Sequence, residues 1–351
     1  MKRKMDKSLL GTILFLSVFI IISGGVSFYQ SNNSIKNNGS IQAITSSDKF
    51  SIGLLQYTSR PSLDAIADGI IDTLASAGYQ DGETIELDFQ NAQGDQSNLS
   101  TIANRFVAND ADLMIAIATP SAMALANVSK TKPIVLGAIT DPKHVGLVDS
   151  NETPGGNITG VSDMTPIAKQ LELIRKIQPE AKTLGLLYSS SEDNAVLQGE
   201  LAAELAKDYG FDTITRTVSS TNDVSQVTKQ LVSKADAIWT PNDNIIASAF
   251  PSVVEVANEA RIPIYPAVDM MVAQGGLATL GLNQYQIGVK TGEMVVELLD
   301  GNTQTATEPI RFADETDLVV NYEAAELLGI TIPDELLADA IDAQTIEGED
   351  S

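Results

Sequence analysis

Cysteine is absent from the 351-residue sequence, and histidine (His144) and tryptophan (Trp239) each occur once. Without thiols there is no structural disulfide, no thiolate metal site, no cysteine nucleophile and no N-terminal cysteine for a lipid anchor. A single imidazole leaves a hydrolytic triad or a histidine-rich metal site without its usual parts, and His144 reads as a surface-loop residue. Basic residues are also scarce: 22 Lys and Arg stand against 46 Asp and Glu, a formal net charge of −24. That balance argues against a nucleic-acid partner, whose binding would require cations to neutralise phosphates. "PGGNITG" has glycines but lacks the Gly-Lys-Ser/Thr continuation of a phosphate loop, so it reads as turn; no cofactor motif appears and no cofactor or metal is expected.

The chain does have length and apolar content. At 351 residues and 43% apolar it exceeds what one hydrophobic core usually serves, and two domains are expected. Lys2, Arg3, Lys4 and Lys7 precede "LLGTILFLSVFIIISGGVSFY", 21 residues without a charge. This pattern predicts a membrane segment with its basic end inside and the rest of the chain outside the cell. Gly25 and Ser27 offer a small-residue cleavage site, so residues 1–29 read as a retained anchor or a cleaved signal peptide, the length favouring the anchor. Residues 30–48, rich in Ser, Asn and Lys, read as a disordered tether.

From Phe50 onward, short apolar runs alternate with helical patterns, the signature of a parallel sheet built from βαβ units. "FSIGLLQ", "TIELDFQ", "ADLMIAIA" and "KPIVLGAI" are the strands of a first series. After the turn-rich "NETPGGNITGVSD", the strands "KTLGLLY", "DTITRTV", "ADAIWTP" and "IPIYP" form a second. Helices are expected between them, including 61–77, 166–178 and a continuous 244–260. Two consecutive series imply two similar lobes. Trp239 falls inside a strand pattern and reads as core.

Open α/β sheets bind ligands beyond the carboxyl ends of their strands. In the first series those positions hold Tyr57, Thr58 and Ser59, then Thr119, Pro120 and Ser121, then Thr140 and Asp141. The second series supplies Ser189, Ser190, Ser191 and Asn194, then Asn242, Asp243 and Asn244, then Val268 and Asp269. In "AIATPSAMALAN" a helix starts directly behind a buried strand, with Thr119 as a cap and Pro120 at the first position. Its free amides around Ser121 and Ala122 would suit an anion. Asp141, Asp243 and Asp269 offer acceptors for an ammonium, although each taken alone reads better as a turn or cap aspartate. A ligand with a carboxylate beside an ammonium uses both features, and an α-amino acid is the simplest. Removal of Asp243 is then expected to weaken binding more than roughly tenfold with the melting temperature nearly unchanged.

Taken in order, "YTSRPSLDAIADGI", "NAQGDQSN", "AIATPSAMALAN", "AITDPKHVGLV", "PGGNITGVSD", "LYSSSEDN", "AIWTPNDNIIASAFPSVV", "PIYPAVDMMVAQGGLATLG" and "AAELLGITIP" resemble the ABC-transporter substrate-binding proteins of the tryptophan/tyrosine type. The resemblance implies the type I periplasmic-binding-protein fold: two Rossmann-like lobes with parallel sheets, joined by a hinge. It places 49–163 with 276–305 in the first lobe and 164–275 with 306–345 in the second. It also implies an aromatic L-amino acid, tryptophan first, closed between the lobes of a monomer and passed to a membrane permease. Carried over by motif, Thr119, Ser121 and Ala122 would contact the carboxylate, and Asp141, Asn194 and Asp243 the ammonium or other polar groups. Ser190, Ser191 and Asp269 are further candidates, and Tyr57 would wall the aromatic ring.

Other readings stay open. The same fold would also suit a branched amino acid, a nucleoside or a sugar, or a sensor lobe for a membrane kinase. An enzyme using Asp141 and Asp243 as acid and base is the rival from another class; the missing histidine and cysteine chemistry opposes it.

Overall fold

The computed structural model describes residues 49–313 and 315–346. The expected N-terminal membrane segment and tether lie outside the described residues. In the first lobe, β1 (Phe50–Gln56), β2 (Ile85–Asn91), β3 (Leu113–Ile117), β4 (Ile134–Gly137), β5 (Ile158–Ser162) and the late β11 (Arg311–Phe312) form one parallel sheet in the order β11-β5-β4-β3-β1-β2. Every residue of β3 and β4 is buried, as expected for strands covered by helices on both faces. The covering helices are α1 (Pro61–Ser76), α2 (Gln96–Ala108), α3 (Thr119–Val128) and the late α10 (Gln284–Leu299). α1 and α10 lie backbone against backbone, because Gly69 and Gly288 face each other's helix. A Cβ on Gly69 would collide with the Tyr285 carbonyl, and one on Gly288 with that of Ile66.

The second lobe has two sheets. β6 (Thr183–Ser189), β7 (Asp212–Val218), β8 (Ala237–Thr240) and β9 (Ile264–Pro266) form a parallel sheet in the order β7-β6-β8-β9. β10 (Ala278–Leu282), β12 (Thr316–Val320) and β13 (Ala340–Asp342) form the other. Among the described residues the one antiparallel strand pairing is β10 with β12. Helices α4 (Ile167–Ile177), α5 (Asp193–Leu205), α6 (Val224–Val232), α7 (Asn244–Ser248), α8 (Phe250–Ala260) and α9 (Asp269–Ala273) complete this lobe, with α11 (Tyr322–Leu328) and two short C-terminal turns. Trp239 is fully buried, and its indole N–H donates to Gln170 Oε1 at 3.1 Å. The Gln170 amide in turn donates to the Leu280 carbonyl at 3.0 Å, which ties α4 to both sheets.

Strand pairing relocates two expected boundaries. Residues 276–282 were expected in the first lobe, yet β10 pairs with β12, so the chain returns only at Asn283. Residues 306–312 were expected in the second lobe, yet β11 pairs with β5, and the final crossing comes after Phe312. The expected continuous helix 244–260 is two helices, broken at Ala249, where Phe250 and Pro251 start the second.

Candidate functional site

Register aligns the strand ends of the first lobe. Gln56 pairs with Ile117, and Ile117 with Gly137, so Tyr57, Ala118 and Ala138 follow side by side at one edge. Ala118 and Ala138 both hold positive φ, 74° and 62°, a conformation that costs a non-glycine residue about 1 kcal/mol or more and that clusters at ligand sites. Ala118 turns the chain from β3 into α3. Its carbonyl accepts from the amides of Ser121 (3.1 Å) and Ala122 (3.2 Å), so these amides, expected to face an anion, already serve the helix start. What α3 does present is hydroxyl: Thr119 is nearly buried, and Ser121 Oγ is buried without a partner.

After β1, Tyr57 is 9% exposed and its hydroxyl donates to the Gly94 carbonyl at 3.2 Å. Burial first, then the negative charges of Glu192 and Asp243, push its phenol up. Arg60, the residue before α1, reaches the second lobe, where its guanidinium donates to Asn244 Oδ1 at 2.7 Å; its Nε is buried and unpartnered. Burial pulls this guanidinium down, while Glu192, Asp243, Asp163 and Asp64 act to keep it charged. Asn244 passes the contact on, its side-chain amide donating to Glu192 Oε2 at 2.6 Å.

The second lobe's edge follows β6 and β8. Glu192, the cap of α5, is 4% exposed and its Oε1 has no partner. Burial, reinforced by Asp243, raises its carboxyl to about 7. The Asn194 amide donates to the Asn242 carbonyl at 2.9 Å, which leaves Oδ1 buried and unpartnered; Thr240 Oγ1 is in the same state. Asn242 donates to Asp163 Oδ2, and Thr140 donates to Asp163 Oδ1 at 3.0 Å, so Asp163 joins the hinge to both lobes. Burial raises the Asp163 carboxyl to about 6.

Among the described residues, seven buried side-chain polar atoms lack a partner, and six of them lie at these strand ends: Gln56 Oε1, Arg60 Nε, Ser121 Oγ, Glu192 Oε1, Asn194 Oδ1 and Thr240 Oγ1. The exception is Asn151 Oδ1. An unmade buried hydrogen bond costs about 1–3 kcal/mol, so these six atoms need partners that the protein itself does not supply.

The other expected residues have different partners. Asp243 Oδ2 accepts from the Ser189 amide, and Oδ1 from the Ile246 amide at 2.9 Å as the cap of α7. Losing it would therefore reach the fold as well as the site, against the expectation of an unchanged melting temperature. Asp141 Oδ1 closes its own turn, accepting from the amides of Lys143 and His144 at 3.1 and 3.0 Å. Ser190 is exposed and its hydroxyl donates to the Val218 carbonyl at the end of β7, while Ser191 is exposed with its hydroxyl 2.8 Å from that of Ser189. Asp269 lines a separate cavity of about 590 Å³ with Asp68, Asp72, Tyr285 and Asp317, and burial raises its carboxyl to about 7. Arg60, Glu192, Asp163 and Gln56 were not singled out from sequence. Their signal was position alone, since Arg60 and Glu192 each stand one residue before a helix that follows a named strand end.

Residues 51–344 match the family model for ABC transporter substrate binding proteins. A tyrosine-binding protein of Clostridioides difficile (strain R20291) is 40% identical over 277 residues, 79% of this chain and 80% of the relative. A Streptococcus pneumoniae ABC domain solved in complex with L-Trp is 44% identical, with a TM-score of 0.82 over 84% of this chain and 99% of that one. The ligand-free, open structure of a Clostridium difficile substrate binding protein is 38% identical and gives a TM-score of 0.67 over the same shares, 84% and 99%. The architecture is the α/β, two-lobed fold of type I periplasmic binding proteins. By the extent of the family match and the identity of its relatives, the chain belongs to the ABC transporter substrate-binding protein family.

Proposed function

We propose that the protein is a non-enzymatic receptor that holds one aromatic L-amino acid between its lobes and delivers it to the permease of an ABC importer. The observation that carries this reading is the cluster of buried, unpartnered polar atoms drawn from both lobes. The hydroxyls of Thr119 and Ser121, with Arg60, receive the ligand's carboxylate, and the acceptors of the second lobe receive its ammonium. Ala122 shapes the first turn of α3, and Tyr57 packs against the ring, where burial of apolar area contributes roughly 25 cal/mol per Å². The ligands named for the relatives, tyrosine in one and L-Trp in another, support the aromatic class.

Two features favour a closed arrangement of the lobes. Arg60 bonds directly to Asn244 across the cleft, and the chain superposes better on the L-Trp complex than on the open, ligand-free relative. One chain holds both halves of the site, so it works as a monomer. The apolar run at the N-terminus holds it at the outer face of the membrane, or is cut and releases it.

Calorimetric titration of the purified protein, unfolded and refolded to strip bound ligand, tests the reading. Saturable heat with one ligand per chain is expected for tryptophan or tyrosine and not for leucine, a nucleoside or a sugar. Silence with all aromatic amino acids, or tight binding of a sugar instead, defeats it.

A further inference from the structure

The cavity of about 590 Å³ that holds Asp269 has no part in the proposed function, and both lobes line it. Asp68 and Asp72 stand one turn apart on α1, and Tyr285 lies in the first turn of α10, whereas Asp269 opens α9 and Asp317 belongs to β12. Like charges at that helical spacing repel. No Lys, Arg or His is among the lining residues. Tyr285 is 39% exposed and its hydroxyl donates to Asp72 Oδ2 at 3.1 Å, which holds an aromatic ring beside the acids.

Surface acids are ordinarily solvated, but Asp269 is only 8% exposed. One other residue donates to its carboxylate, the Met270 amide to Oδ1 at 2.8 Å, so Oδ2 is left without a donor on a side chain that lines the cavity. Burial, with Asp317 adding to it, raises this carboxyl to about 7, and a cation beside it offsets both effects. Among the described residues no three acids are arranged to hold a metal ion, and the space is that of a small organic molecule. A primary ammonium offers three N–H donors to carboxylate oxygens, and an aromatic ring adds cation–π attraction. Acids on both lobes call for a cation at each end of the occupant. We infer that this cavity is a second binding site, for an aliphatic diamine or polyamine whose ammonium groups lie against Asp72 on the first lobe and Asp269 and Asp317 on the second.

Titration calorimetry of the purified protein at physiological ionic strength tests this with spermidine, 1,4-diaminobutane and the monoamine butylamine. One saturable site is expected for the first two, with butylamine roughly tenfold weaker or more, because it leaves one set of acids unpaired. Butylamine binding as tightly overturns the two-ended occupant. Heat that never saturates, which diffuse attraction to a chain of net charge −24 gives, overturns the site. Asp269→Asn combined with Asp317→Asn should weaken spermidine roughly tenfold or more. Glu255→Gln combined with Glu259→Gln, exposed acids one turn apart on α8, should leave it unchanged, and equal losses in the two pairs overturn the site. Should D269N/D317N fail to fold, Asp72→Asn at an exposed position of α1 takes its place, with a several-fold loss expected and no loss overturning the site. Saturating L-tryptophan should leave spermidine binding in place, because the cavity is present while Arg60 is bonded across the cleft. Competition between the two overturns a separate site, whereas a protein that binds spermidine but no amino acid loses the proposed function and keeps this one.

Discussion

The binding edges of the two lobes are built from the same parts, a parallel strand that ends in a short turn and a helix start, yet they present opposite chemistry. The first lobe brings a cation and hydroxyls, Arg60 beside β1 and Thr119 and Ser121 at α3. The second brings acceptors, Glu192 and Asn194 at α5 and Thr240 at the end of β8. An amino acid carries both signs on neighbouring atoms, so each lobe can satisfy only half of it. Under the proposed function, recognition and closure would be one event, because the second half of the ligand would stay unpaired until the lobes meet.

The difference between the edges can be pressed by substitution. Arg60→Ala is expected to have the largest effect, a loss of affinity of roughly a hundredfold, because Arg60 spans the lobes and is the cation facing Glu192, Asp243 and Asp163. Titration calorimetry reads it, and a loss under threefold would remove Arg60 from the site. Asp243→Ala should act on the fold instead, destabilising the ligand-free protein by about 1–3 kcal/mol through the lost cap and the unpaired Ser189 amide. A denaturant titration with an unchanged midpoint contradicts that. Ser121→Ala should weaken binding about tenfold with little change in stability, since its hydroxyl has no partner in the protein.

The acids of the second edge and hinge add a pH dependence. Burial holds Asp163 at about 6 and Glu192 and Asp269 at about 7, above their unfolded values. The folded chain therefore binds protons more tightly than the unfolded one. The stability these groups contribute is complete below about pH 4 and is lost as pH rises through about 6 to 7. The ligand-free melting temperature should fall between pH 5.5 and pH 8; a rise over that interval contradicts the assignment. Smallest of all is the expected effect of Asp269→Asn on ligand affinity, within about twofold, because Asp269 lines another cavity; the same change should flatten the pH dependence of melting.

Much of this edge could be read before any coordinates. Alternating apolar runs and helical patterns gave the strands, and the rule that ligands sit beyond strand ends picked out Tyr57, Thr119, Ser121, Asn194 and Asp243. Charge was where the reading faltered. Arg60 and Glu192 look like ordinary solvated loop residues in "TSRPS" and "SSSEDN", and nothing local in either stretch marks them as buried. The aspartates are ambiguous in the other direction: an acid that caps a helix and an acid that grips a ligand occupy the same position at a strand end, and the sequence does not separate them. Lobe boundaries were hidden for a similar reason. "ATLGL" is plainly a strand, but its partner β12 lies more than thirty residues further on, and local pattern carries no trace of that pairing.

Titration of the wild-type protein with the two halves of its proposed ligand tests the division of labour most directly. Against L-tryptophan, tryptamine lacks the carboxylate that the first lobe would hold, and indole-3-propionate lacks the ammonium that the second would hold. Each should bind at least about a hundredfold more weakly than the amino acid, since each leaves one edge with buried groups unpaired. Either half binding as tightly as the whole would contradict a site shared between two lobes of opposite chemistry.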